Sequence, residues 1–97
     1  MSKIKELSDW IEIQCAADED WKHDSKIEIR TLDNPGWAIK ILLPYEKELR
    51  LIPMHIDNGD EDWAFSKVEN GAYFGYGDLS KLDSLIDNFL SSIELSL

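Results

Sequence analysis

The chain has little that would support catalysis, a staple or a membrane. Among its 97 residues there is one cysteine, Cys15, so no internal disulfide can form. That suits a reducing compartment and points to the cytoplasm. No apolar run approaches the ~20 residues of a membrane-spanning helix. The start, MSKIKELSDW, alternates in polarity and lacks the apolar stretch of a secretory signal. Basic residues are scarce, 10 against 20 acids, for a formal charge of −10. This argues against nucleic acid or an anionic membrane as a direct partner, since both want basic patches. The charge fits a basic protein partner, and it equally serves solubility. Repeats, low-complexity tracts and linkers are absent, so the reading is of one domain over residues 1–97.

What is present is hydrophobic periodicity. Ile4, Leu7, Ile11 and Cys15 share one face of a helix over 3–15, with Trp10 and Gln14 beside the stripe. That face makes Cys15 a core residue. A polar loop, AADEDWKHD, covers 16–24. Ile27, Ile29 and Thr31 alternate with Glu28 and Arg30 as a half-buried strand does. Asn34-Pro35-Gly36-Trp37 fits a type II turn. Trp37, Ile39, Ile41 and Leu43 form a second strand, and Pro44 to Lys47 a turn. A third strand runs from Leu49 to Ile56, with Pro53 forcing a bulge or an edge position. Trp63 and Phe65 alternate in a fourth. Asn70-Gly71 signals a two-residue hairpin before a fifth strand, Tyr73 to Tyr76. Leu79, Leu82, Leu85, Ile86, Phe89, Leu90 and Ile93 then recur at helical spacing, and either Ser80 or Asp78 caps that helix. The fold expected is α+β, a five-stranded antiparallel meander with the N- and C-terminal helices packed on one face, because short connections favour antiparallel neighbours.

No constellation of catalytic or metal-binding type emerges. Cys15, Asp20, His23 and His55 match no zinc spacing. A Cys15–His23 pair would place its nucleophile on a buried helical face, the wrong setting for a reactive thiolate. GYGDLS (75–80) resembles half of a glycine-rich loop, yet Asp78 would repel a phosphate there, and Gly75 and Gly77 read as serving the strand-to-helix bend. The carboxylates in 18–24 and 57–62 sit in polar loops, where they stay solvated. No cofactor and no metal are expected. Trp21 can either tuck onto the first helix or stand out as a contact for a partner, since aromatic side chains dominate interface centres.

Strand reversals also predict where acids meet. In a meander, the 16–24 loop and the turns 44–47 and 70–71 share one end of the sheet. The Asn-Pro-Gly turn, the 57–62 loop and the bend at 77–79 share the other. Asp33, Asp57, Asp60, Glu61, Asp62 and Asp78 would gather there, with no lysine or arginine in those connections.

Asp20-Trp21-x-His23, an alternating strand, and Thr31-Leu32-Asp33-Asn34-Pro35-Gly36-Trp37 together resemble the immunity protein 53 family of bacterial polymorphic toxin systems. WIEIQC (10–15) is similar to that family's aromatic-x-x-x-Gln-Cys helix end, and Asp62-Trp63 and the hairpin before the last helix agree in order. The chain departs from the pattern at Ser25-Lys26, where a Tyr-Gly pair is usual. The resemblance implies a non-enzymatic protein that binds and neutralises a cognate toxin domain, a basic one and a nuclease among the candidates. The acidic surfaces supply the contact residues: Asp18, Glu19, Asp20, Trp21 and His23 in the first loop, or Asp33, Asp57, Asp60, Glu61 and Asp62 at the far end. The competing readings are a small cytoplasmic enzyme using Cys15 with His23, and an acidic adaptor subunit of another complex.

Overall fold

The computed structural model describes residues 3–22, 26–33, 35–43 and 49–95. Helix α1 spans Lys3–Ala17 and the one-turn helix α2 spans Glu19–Lys22. Five strands follow: β1 Ile27–Leu32, β2 Gly36–Leu42, β3 His55–Asp57, β4 Trp63–Glu69 and β5 Ala72–Asp78. Helix α3, Leu82–Leu95, completes the order. The α+β class expected from the sequence is what forms: an antiparallel five-stranded sheet, with the N- and C-terminal helices in contact with each other and α3 on β5.

The strand order corrects the meander. It runs β1-β2-β5-β4-β3, so β2 pairs with β5 and not with β3. The chain leaves β2 and crosses to the far edge. The β3-β4-β5 meander then returns to close against β2. This order buries the two most apolar strands, β2 and β5, at the centre, where the shorter and more polar β1 and β3 become edges.

The third strand is shorter than its apolar pattern suggests. Leu49, Leu51 and Met54 pack against the core, but ladder pairing starts only at His55. Pro53 has no N–H to give, and the stretch before β3 is held by α3 as well as by the Ser66 N–H of β4, which donates to the Met54 carbonyl at 3.2 Å. Ile52 N–H donates to Ser92 Oγ at 3.0 Å, and Asn88 Nδ2 donates to the Ile52 carbonyl at 2.9 Å. Residues 49–54 therefore form a strap across the last helix. The turn placed at 44–47 lies outside the described residues, as does Asn34 of the Asn-Pro-Gly turn. The hairpin at Asn70-Gly71 is as expected, with φ of 50° and 75°.

Registered pairs share a face, so the ladder sorts every strand residue into one of two layers. Ile39, Ile41, Tyr73 and Ala64 face the helices and are buried beneath Leu7, Leu85, Ile86 and Phe89. Gly75 and Gly77 are on that face too, within β5 rather than at a bend. A Cβ on Gly75 would stand 2.9 Å from Ile39 Cγ2 and 3.0 Å from Leu85 Cδ2, so its absence lets α3 settle on the sheet. Ile4 and Leu79, placed in the core stripes by spacing, are exposed; Leu7, Trp10 and Ile11 carry the contact of α1. Cys15 is half-buried.

Candidate functional site

The first loop is largely used by the fold. Asp18 is buried and caps α2, its Oδ1 accepting the Trp21 N–H at 3.1 Å. Trp21 is buried as well. Its ring meets Trp10 edge-on at 5.5 Å, and its Nε1 donates to the Leu42 carbonyl at 3.1 Å. Of the two fates open to Trp21, the structure takes the inward one. Asp18 and Trp21 therefore offer no contact surface. Glu19 and Asp20 remain exposed, beside the Leu42 end of β2. His23 is outside the described residues.

The opposite end of the sheet is where three connections converge, at 33–35, 58–62 and 79–81. Antiparallel pairing throughout preserves the alternation of ends, so the convergence survives the change in strand order. A cleft of about 510 Å³ between them is lined by Pro35, Asp60, Glu61, Asp78, Leu79 and Ser80. Leu79 is held in place by Trp37, whose Nε1 donates to its carbonyl at 3.1 Å. The 58–62 loop closes on itself. Asn58 N–H donates to the Asp62 carbonyl at 2.9 Å, and Gly59 takes a φ of 113° that few other residues tolerate.

The charge at this end is not free of cations, contrary to the count made on the connections alone. Lys81 Nζ reaches Asp62 Oδ1 at 2.7 Å and Asp78 Oδ2 at 2.9 Å. It sits three residues after Asp78, where the start of α3 turns it back. Asp78 is buried and structural: it also accepts Ser80 Oγ–H at 2.6 Å, Ser80 N–H at 2.8 Å and Trp63 N–H at 2.9 Å. At this end of the sheet, the described acids left exposed and in no ion pair are Asp33, Asp57, Asp60 and Glu61.

This geometry sets an acid limit on stability. The Ser80 hydroxyl and Lys81, with the two backbone N–H groups, hold the Asp78 carboxyl well below the usual carboxylate range. Lys81 and Asn58 hold that of Asp62 down as well. A depressed folded-state pKa stabilises above the unfolded value, about pH 4, and that stability is lost as pH falls further. Melting temperatures measured from neutral pH downward should therefore fall below about pH 4. Asp78→Asn should melt several degrees lower at neutral pH and show a flatter acid limb. An unchanged limb would place the acid sensitivity in other carboxylates.

The sheet face away from the helices is the surface that sequence reasoning missed. Three residues set side by side by the ladder, Lys40, Phe74 and Lys67, form one row across it. Arg30, Ala38, Tyr76, Phe65 and His55 form the next. Phe65 stacks on Tyr76 at 4.9 Å and is 42% exposed, and Trp63 lies 6.4 Å from Phe65. The signal was in the small residues. Ala64, Gly75 and Gly77 are what the helix layer admits, so the aromatic residues alternating with them must point outward.

Charge and rings are presented together at one end and one face of the sheet, and among the described residues no group of three His, Cys, Asp or Glu is placed to hold a metal. None of the described helices is long and apolar enough to cross a membrane. Residues 4–94 match the sequence model of immunity protein 53, and the chain belongs to that family. Membership makes it a toxin-neutralising protein and not an enzyme. Comparisons with curated proteins and with solved structures gave no match.

Proposed function

We propose that the chain neutralises its cognate toxin in the cytoplasm by presenting the acidic end of its sheet to a basic surface of the toxin, a nuclease being the kind of toxin whose active surface is basic. The observation that carries this reading is the cleft where Asp60 and Glu61 meet Pro35 and Leu79 from two connections distant in sequence, with Asp33 exposed in the same connection as Pro35. Exposed acids without partners cost self-repulsion in the free protein, and a basic partner relieves it. Complementary charge chiefly accelerates encounter and selects partners. Glu19 and Asp20 lie at the other end and stay out of this contact.

The test is association kinetics with the toxin domain encoded by the adjacent reading frame. Changing Asp33 and Asp60 to Asn and Glu61 to Gln should slow association about tenfold at low ionic strength and flatten its salt dependence. The melting temperature should hold or rise slightly. Unchanged association at low salt would move the contact to the Glu19–Asp20 end.

A further inference from the structure

The uncovered sheet face is divided into two unlike halves. In one half the chain supplies its own cations. Lys40 lies over the Phe74 ring at 5.8 Å and Lys67 over the same ring at 5.5 Å, and they pair with Glu28 at 3.9 Å and Glu69 at 3.1 Å. Rings, cations and carboxylates are matched there. At the β3 edge of the other half, rings and carboxylates stand together without a lysine or arginine among the described residues; Arg30 lies in the same row but on β1, at the opposite edge of the sheet. His55, Asp57, Asp60, Trp63 and Phe65 line a cleft of about 350 Å³ at the β3 edge. Among the described residues no lysine or arginine pairs with Asp57 or Asp60. No cation among the described residues is placed over Trp63 or Phe65. Asp60 also borders the acidic cleft, so the two surfaces are continuous.

We infer that this half of the face is where a basic loop of the toxin docks, an arginine side chain entering between the carboxylates of Asp57 and Asp60 and the rings of Trp63 and Phe65. The inference rests on the toxin-binding reading above and deepens it: the acidic end steers the encounter, and the ring-and-carboxylate cleft holds the complex. Arginine fits better than lysine. Its planar guanidinium stacks on a ring face while its N–H groups bridge two carboxylates, and it gives up its hydration more readily. Aromatic side chains at the centre of a contact, edged by charge, are where truncation usually costs most.

Two measurements separate this from the steering role. With the toxin domain of the adjacent reading frame, Phe65→Ala and Asp57→Asn should each speed dissociation about tenfold or more, leaving the salt dependence of association nearly unchanged for Phe65→Ala. Phe65 is exposed, so its variant should fold; Phe65→Leu tests whether a ring, and not merely an apolar group, is needed. If the acidic triple variant slows association while Phe65→Ala and Asp57→Asn dissociate like the parent, the docking inference fails and the steering reading stands. If neither set changes anything, both fail. The second measurement uses N-acetyl-argininamide, with the uncharged N-acetyl-citrullinamide as control, followed by amide chemical shifts. Shifts confined to the amides of 55–60 and 63–65, and absent with citrulline, support the site. Equal shifts with both probes, shifts centred on Glu19 and Asp20, or none at all overturn it.

Discussion

Phe89→Ala is expected to remove about 3–5 kcal/mol of stability, enough to lower the melting temperature by more than about 10 °C. The ring is fully buried and joins every helix to the sheet. It meets Trp10 of α1 edge-on at 5.0 Å and Tyr73 of β5 at 5.2 Å. Trp10 passes the contact on to Trp21 of α2. Four aromatic residues, Tyr73, Phe89, Trp10 and Trp21, thus run from the middle of the sheet through α3 and α1 to α2. Alanine at position 89 leaves a cavity bordered by two rigid rings that cannot collapse into it, which is the condition for a cost at the high end. A chain of this length has on the order of 5–15 kcal/mol to lose, so the variant should be partly unfolded at physiological temperature. Urea unfolding checks the figure, with Phe65→Ala as the control on the open face. A loss below about 1 kcal/mol would show that α1 is held by something other than this ring.

The physical reason some of this was legible in the sequence, and some was not, is the range over which each signal acts. Helical spacing in 82–93 and alternation in 27–31 and 37–43 are local, and the elements formed where those patterns lie. Asn70-Gly71 is more local still, since only residues tolerant of positive φ close so short a hairpin. Strand order is not local. A short connection from β2 to β3 reads as a neighbouring pair, and nothing between Leu43 and His55 announces that the chain crosses to the far edge. The convergence of the acids survived because it depends on antiparallel alternation, which both orders share. Lys81 was missed for a similar reason. The connection itself ends at residue 79, while the start of α3 brings a side chain two residues further on back to Asp62 and Asp78. Trp63 and Phe65 have the size and hydropathy of core residues. Their outward direction follows only when their small neighbours Ala64 and Ser66 are matched to Gly77 and Gly75 across the ladder. Trp21 shows the converse: a tryptophan in an acidic stretch looks like a surface feature until the ring it packs on, Trp10, is placed beside it.

The strap before β3 gives the second large effect, and it connects the core to the docking face. Asn88 is buried on α3 and serves three groups through one carboxamide and its own carbonyl. Its Oδ1 lies 2.9 Å from the Tyr73 hydroxyl, which also reaches the Leu85 carbonyl at 3.1 Å. Its Nδ2 donates to the Ile52 carbonyl. Its main-chain carbonyl accepts Ser92 Oγ–H at 2.7 Å, and that same Oγ accepts the Ile52 N–H. Both polar groups of Ile52 are therefore satisfied from α3. Burial pushes the Tyr73 phenol far above its usual range, so it stays a neutral donor at any working pH. Asn88→Ala should cost about 1–3 kcal/mol, because the Ile52 carbonyl is left without its partner and one of the two acceptors of the Tyr73 hydroxyl is lost. Asn88→Leu keeps most of the volume and should cost nearly as much, which separates lost hydrogen bonds from lost packing. The consequence for function runs through β3. That strand has three residues and one neighbour, β4, and the strap anchors the chain that leads into it. Releasing the strap should leave β5 protected while the amides of His55, Ile56 and Asp57 exchange faster. Asp57 then spends time out of register with Trp63. Toxin dissociation should quicken, with association at low salt unaltered, since Asp33, Asp60 and Glu61 have not moved. Amide exchange decides the matter: a variant that melts lower yet keeps β3 as protected as the parent would show that β4 alone positions Asp57, and that the strap stabilises the core without shaping the docking face.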